Sequence, residues 1–319
     1  MRNPSVNSTY EAQAEALLAS IKAGVAPWAK PWQSLGAQRN AATGRLYNGG
    51  NALYLAAVQA VEGYDHPLWL TWRQASKLGG HVKQGEWKNG RPVLWFRLDE
   101  KVKTDENGEP VLDNNGDPKT VNFWRSGCST VYNVAQTTVE TKKYQRLLPE
   151  VMPEHKRNTE VENFLAAVVE GSTFTQQYTG DRACYIPALD EVRIPPAKLY
   201  KAIEEFYATH LHEYGHATGH KSRLARGLGE SAFVNREGYA EEELVAELTA
   251  AFLGAEFQID GRCQHAEYLG HWFKALENDT RYFYKAAGKA KKAAAWIKKA
   301  ASRGGYKPGE QPQPMKEAA

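Results

Sequence analysis

Cysteine is scarce in this chain: three in 319 residues, at Cys128, Cys184 and Cys263, with no two at a metal-ligand spacing. That excludes a disulfide framework and suits a reducing compartment. Long apolar runs are missing as well, so no stretch approaches the 18 residues a membrane span needs, and no secretory signal pattern is present. The expectation is a soluble, cytoplasmic protein without a membrane partner. An excess of either charge is nearly absent, 40 Lys and Arg against 37 Asp and Glu for a net +3, and 42% of the residues are hydrophobic, enough for the two cores expected at this length. No internal repeat stands out.

What is present is concentrated in one stretch. His212, Glu213 and His216 form an HExxH sequence. On a helix, residues four apart share a face about 6 Å apart along the axis, so both imidazoles can close on one tetrahedral zinc. Glu213 then lies beside the metal as the general base for its water. A bare match also arises by chance, or from a histidine-rich core helix, but Leu199, Ile203, Phe206, Tyr207, Leu211 and Tyr214 recur at helical intervals around it. No proline intervenes between Pro196 and the motif, and Gly219 marks the end.

A catalytic zinc needs a third protein ligand and an open position. Residues 239–253 read as a second amphipathic helix on which Glu243 and Glu247 share a face. Glu243 is the expected ligand and Glu247 the carboxylate that holds a ligand histidine through its other nitrogen, the reverse assignment remaining open. Glu241 and Glu242 read as a solvated acidic face. His220 competes as third ligand, but the pattern HExxHxxGxxH fails at its last position, which is Ser222; His210 and His220 are left as supporting or surface groups.

Residues 181–195 alternate apolar and polar side chains around a Pro-Ala-Leu-Asp turn, a β-hairpin or a pair of edge strands that could pair with an extended peptide. Tyr185 there could offer its hydroxyl to a developing oxyanion, or be an ordinary strand tyrosine.

The first 98 residues hold eleven Lys and Arg against five acids, and six of the nine tryptophans. Cations interleaved with aromatics make a stacking platform in a phosphate-attracting field, the combination used for single-stranded nucleic acid; an aromatic core with a solvated basic face gives the same composition. Helices are expected at residues 10–23, 52–63 and 69–78, and strand-like segments at 92–97 and at 121–124 continuing towards 130–134, a long hairpin around a polar insert at 104–119. Residues 285–299 look helical, and their lysines could track phosphates or be a solvated face.

Motifs spread over both halves carry a family resemblance: residues 47–53 (YNGGNAL), 69–75 (WLTWRQA) with 79–85, 131–134, 181–195, 212–224 and 242–248. Together they resemble the ArdC antirestriction proteins of conjugative plasmids and related phage-borne proteins, and the second half is also similar to the ImmA/IrrE metallopeptidases, whose third ligand is a downstream helical glutamate. The elements read as an α+β fold of two domains, with a linker at 149–158 where proline and charge accumulate and a disordered tail at 304–319; the resemblance makes residues 1–148 a single-stranded-DNA-binding module and 159–303 a mainly helical zincin-like domain with a small β-hairpin. It implies protection of incoming DNA against host restriction. The ligands would be His212, His216 and Glu243 around Zn²⁺, or another divalent ion such as Mn²⁺. DNA would meet Trp69, Trp72, Arg73, Lys77, His81 and Lys83, flanked by Trp28, Lys30 and Trp32. A host restriction or regulatory protein is a candidate peptide substrate.

Overall fold

The computed structural model describes residues 5–22, 37–107, 109–113, 115–148, 154–227, 236–259, 272, 279 and 281–308. Trp28, Lys30, Trp32 and most of residues 260–280 lie outside them.

The first unit is built on a four-stranded sheet in the order β1-β2-β4-β3: β1 (Arg39–Asn40), β2 (Leu68–Leu70), β3 (Arg91–Val102) and β4 (Thr120–Asn133). β1 and β2 run parallel and the other pairs antiparallel. Here the sequence reading needs correction, because residues 69–78 are not one helix. Leu68, Trp69 and Leu70 are consecutively buried, as a strand inside a sheet requires, and the helix α3 (Trp72–Lys77) starts only after Thr71. Thr71 caps it reciprocally with Gln74. Helices α1 (Val6–Lys22) and α2 (Gly50–Glu62) complete the unit, with Tyr54, Leu55 and Val58 of α2 packed on Trp69, Val93 and Val131.

β3 and β4 keep unbroken register from Arg91 opposite Val131 out to Val102 opposite Thr120, the long hairpin expected from the sequence. Beyond the sheet this ribbon continues to a tip made of two like turns, Asp-x-Asn-Gly-x-Pro at 105–110 and 113–118, a short repeat the sequence reading missed. In each turn the aspartate Oδ1 accepts two backbone N–H groups: Asp105 from Asn107 and Glu109 at 2.9 and 3.0 Å, Asp113 from Asn115 and Asp117 at 2.8 and 3.0 Å.

The second unit is mainly helical: α4 (Glu154–Glu170), α5 (Ile203–Ala217), α6 (Arg236–Phe257) and α7 (Tyr282–Arg303), with a three-stranded sheet in the order β5-β7-β6. Its strands are β5 (Thr175–Tyr178), β6 (Cys184–Ile186) and β7 (Glu191–Ile194), the last two forming a hairpin. α4 starts at Glu154, inside the segment read as linker. The chain past Arg303 is also not wholly a tail: Tyr306 meets Phe164 edge to face at 5.2 Å and donates to Glu160 at 3.0 Å. Ring burial and a satisfied hydroxyl hold that segment down.

Two clusters form most of the core, and α7 belongs to both. Its first half (Phe283, Ala286, Ala287, Ala290) packs with α1, α2 and α6, and its second half (Ala294, Ile297, Ala300, Ala301) packs with α4, α5 and β7. Small side chains allow the close approach. Gly171 and Gly304 mark the tightest point, where an added Cβ would lie 1.9 Å from the Ala300 carbonyl oxygen and 2.0 Å from that of Ala167.

Candidate metal centre

α5 carries the HExxH residues into the interior, with Tyr207, Leu211 and Tyr214 on its apolar side and Glu204 and Glu205 in the first turn, where the helix dipole favours acids. Two arginines close its other end: Arg223 Nε donates to the Ala217 carbonyl at 2.7 Å and Arg226 Nη2 to that of Gly215 at 2.8 Å. Gly215 also sets the spacing to α6, since a Cβ there would lie 3.1 Å from the Ala246 Cα. One turn before Ala246, Glu243 reaches the histidines.

The three side chains form a tight triangle. His212 Nε2 is 3.1 Å from His216 Nε2 and 3.5 Å from one Glu243 oxygen, and His216 Nε2 is 3.6 Å from the other. Ligands at about 2.05 Å around a tetrahedral ion are separated by about 3.4 Å. Each of these separations is close to that edge, although the two carboxylate distances end on different oxygens; one donor atom from each residue lies within 4.8 Å of the others, and the set of two imidazoles and a carboxylate suits a divalent ion. His212 and Glu243 are buried. Burial lowers the basicity of His212, whereas at His216 it is outweighed by hydrogen bonds to Glu242 and Glu243, which hold the imidazole up at about 10. Burial would raise the Glu243 carboxyl, but the two histidines hold it well below the usual carboxylate range.

The structure reassigns Glu242. It is not a solvated acid: its Oε1 accepts from His216 Nδ1 at 3.3 Å, while Arg226 grips both oxygens at 2.9 and 2.6 Å. This pairing leaves His216 Nε2 to face the triangle. No sequence signal was used for it. A residue one position before a ligand lies about 100° around the helix, and Arg226 arrives from a separate loop. Glu247 is buried, and its charge acts on His212. Glu213 is buried too, and its charge is felt by His216, by Cys184 on the edge strand β6 and by Tyr200.

Tyr185 does not fit the oxyanion role. Its hydroxyl donates to Asp190 at 2.7 Å and accepts from Arg223 at 3.0 Å, a bonded cluster tying the β6–β7 turn to the end of α5. Burial and the Asp190 hydrogen bond push the phenol well above its ordinary pKa. His210 is no surface group either: burial holds it at about 4, hence neutral, and Nδ1 donates to the Phe206 carbonyl at 2.8 Å. His220 bonds locally to Ser222, outside the triangle.

In the first unit, the stacking role expected of Trp69 is also overturned. Its ring is 0% exposed, and Nε1 donates to Gln38 Oε1 at 2.6 Å. Trp72 is 47% exposed with the Arg73 guanidinium 5.3 Å from its ring centre, and Lys77, His81 and Lys83 are exposed, although Lys83 Nζ donates to the Ala135 carbonyl. The ribbon's exposed side chains were not among the expected DNA contacts. Directly opposed residues share a face, so Trp95, Arg97, Phe123 and Arg125 lie on one side, and Phe96, Leu98 and Trp124 on the other, with Trp124 71% exposed. Composition could have flagged them, since strand aromatics on both faces leave some in water.

Comparison with known proteins agrees with both units. Residues 7–145 match the N-terminal domain of the anti-restriction factor ArdC, and residues 159–289 match zincin-like metallopeptidases. The metal-free crystal structure of the antirestriction ArdC protein from plasmid R388 is similar with a TM-score of 0.69 and 34% identity, covering 92% of this chain and 97% of that one. Its Mn(II)-bound structure gives 0.66 and 30%, with 92% and 98% covered. A DNA primase TraC of Escherichia coli is 38% identical over 304 residues, 90% of this chain but 27% of the primase, so the chain spans about a quarter of that relative's length. The protein y4eC of Sinorhizobium fredii is 32% identical over 294 residues and is 91% covered. No described helix is long and apolar enough to cross a membrane.

Proposed function

The chain belongs to the ArdC family of antirestriction proteins, and on that premise we propose that it binds single-stranded DNA, shields incoming DNA from host restriction and holds one divalent ion in a metallopeptidase-type centre. The observation that carries the metal reading is the His212–His216–Glu243 cluster, in which the two Nε2 atoms are 3.1 Å apart and each is 3.5 or 3.6 Å from one Glu243 oxygen, close to the ligand spacing of a tetrahedral ion. When bound, Zn²⁺ or Mn²⁺ would supply Lewis acidity toward a carbonyl and a more acidic water. The chain's own part is to hold that ion through Nε2 of both histidines and the Glu243 carboxylate. Glu213 follows His212 directly and borders β6; it is the group that would take and return a proton. Among the described residues β6 pairs with β7 on one side only, which leaves its other edge for an extended peptide.

For the DNA, exposed rings interleaved with cations support the reading: Trp72 with Arg73, and the ribbon's Trp95, Arg97, Phe123 and Arg125. Elemental analysis of wild type, His216→Ala and Glu213→Gln, with anisotropy titrations of labelled single- and double-stranded oligonucleotides on the same samples, tests both parts. About one metal per chain in wild type and Glu213→Gln, lost in His216→Ala, is expected alongside preferential single-strand binding in all three. Metal-free wild type after loading would sink the metal centre, and equal affinity for both DNA forms would sink the DNA reading.

A further inference from the structure

A cleft of about 730 Å³ opens where α7 crosses the first unit. One wall is the loop leading into α2, from Asn40 to Asn51; β3 supplies a second wall through Leu94, Trp95 and Phe96, and α7 a third through Tyr284, Gly288 and Lys291. None of the lining residues is acidic. Two are cations, and they come from opposite sides: Arg45 from the loop and Lys291 from α7, both exposed and neither in an ion pair among the described residues. The site thus attracts an anion and has nothing lining it to repel one.

Its other surfaces are aromatic and amide. Tyr47 lines it, and Trp95 and Phe96, exposed at the ribbon's base with their rings on opposite faces of β3, place an aromatic group to either side of that strand. The floor is the Asn48–Gly49–Gly50 backbone, and Tyr284 roofs Gly50 so closely that a Cβ there would meet its ring at 2.2 Å. Tyr284 is fixed by an edge-to-face contact with Tyr10 at 4.5 Å and by a hydrogen bond to Gln13. The Asn48 amide is exposed and makes no hydrogen bond among the described residues, so it can still meet a ligand. Rings for a flat aromatic group, an amide for its polar edge and two cations for an anion match one nucleotide, and the volume lies within the range of small-ligand sites.

We infer that this cleft holds a nucleotide of the bound single strand, its phosphate between Arg45 and Lys291 and its base against Tyr47 and one aromatic ring of β3, so that the metallopeptidase half supplies part of the DNA site. The inference rests on the single-stranded-DNA reading above and adds to it a place and a second contributing unit. A single strand seated here continues naturally onto the ribbon, because Trp95 lies on the ribbon face that carries Arg97 and Arg125.

Gly288 gives a selective test. It lines the cleft on helix α7, and an added Cβ there meets nothing within 4 Å, so a larger side chain fills the space without disturbing the core. The full-length variants Gly288→Leu, Lys291→Glu and, as a control further along α7, Lys299→Glu are titrated with fluorescein-labelled (dT)20 at several salt concentrations. Melting temperatures are recorded in parallel. Expected is at least a tenfold loss of affinity in Gly288→Leu and Lys291→Glu with melting unchanged or raised, near wild-type binding in Lys299→Glu, and a salt slope lower by about 0.7 in Lys291→Glu. Wild-type affinity in both Gly288→Leu and Lys291→Glu would overturn the cleft while leaving single-strand binding intact. Failure of wild type itself to bind (dT)20 would instead overturn the underlying reading.

Discussion

Replacing Glu242 with glutamine should weaken metal binding about tenfold without removing it. The carboxylate touches no coordination position; it accepts from His216 Nδ1 at 3.3 Å and so fixes the ring and raises the basicity of Nε2. Such outer partners are worth about 10- to 100-fold in metal affinity. Arg226 donates two hydrogen bonds to the same carboxylate, at 2.9 and 2.6 Å, and its positive charge draws electron density away from His216. The effect therefore belongs at the low end, about tenfold or about 1.4 kcal/mol. Competition against a chromophoric chelator would read the dissociation constants for Zn²⁺ and Mn²⁺. The same loss should appear as about 1.4 kcal/mol less metal-dependent stabilisation at saturating ion. A variant that folds and binds both ions within twofold of wild type would refute the reasoning, leaving Glu242 as a salt-bridge partner of Arg226 alone.

Four further outcomes are expected. Gly171→Ala should cost about 3 kcal/mol, because its Cβ would strike the Ala300 carbonyl at 1.9 Å, whereas Gly254→Ala, with nothing nearer than 3.8 Å, should be neutral or stabilising by about 1 kcal/mol through helix propensity; thermal melts separate them. Trp124→Ala should leave melting unchanged and cost about 1–3 kcal/mol in single-strand affinity, while Trp69→Ala should destabilise the fold by about 3–5 kcal/mol; equal melting of the two would be the contrary result. Asp190 is held below the usual carboxylate range chiefly by its hydrogen bonds to Arg223, so its stabilisation is present above the unfolded value of about 4 and is lost as pH falls through the lower folded value. The melting gap between wild type and Asp190→Asn should accordingly be full at neutral pH and close in acid; a gap that widens in acid would contradict the sign. Gly215→Ala should push α6 from α5 by a few tenths of an ångström at the 3.1 Å contact with Ala246, weakening metal binding more than it lowers the melting temperature of the metal-free protein.

The parts of this molecule legible in sequence were those written in a local period. His212, Glu213 and His216 with Glu243 could be placed because both helices announce their faces every three to four residues, and the β6–β7 hairpin because alternation surrounds a turn sequence. Trp69 misled because three buried residues are too few to show a strand period, and the sequence after them starts a helix with its own cap. Glu242 and Tyr185 took their roles from Arg226 and Arg223, partners from separate segments whose arrival no spacing encodes. The exposed ribbon aromatics escaped for the opposite reason: an aromatic strand reads as core unless the cover it lacks is known.

Because α7 completes both of the large hydrophobic clusters, the second unit and the α1–α2 face of the first stay uncovered until residues 282–303 are in place. During synthesis those residues follow every other element described, so the first unit must wait, partly open, for a helix made well over a hundred residues later. Two units that look separable along the chain are thus joined in folding, and their denaturation should register as one cooperative event rather than two.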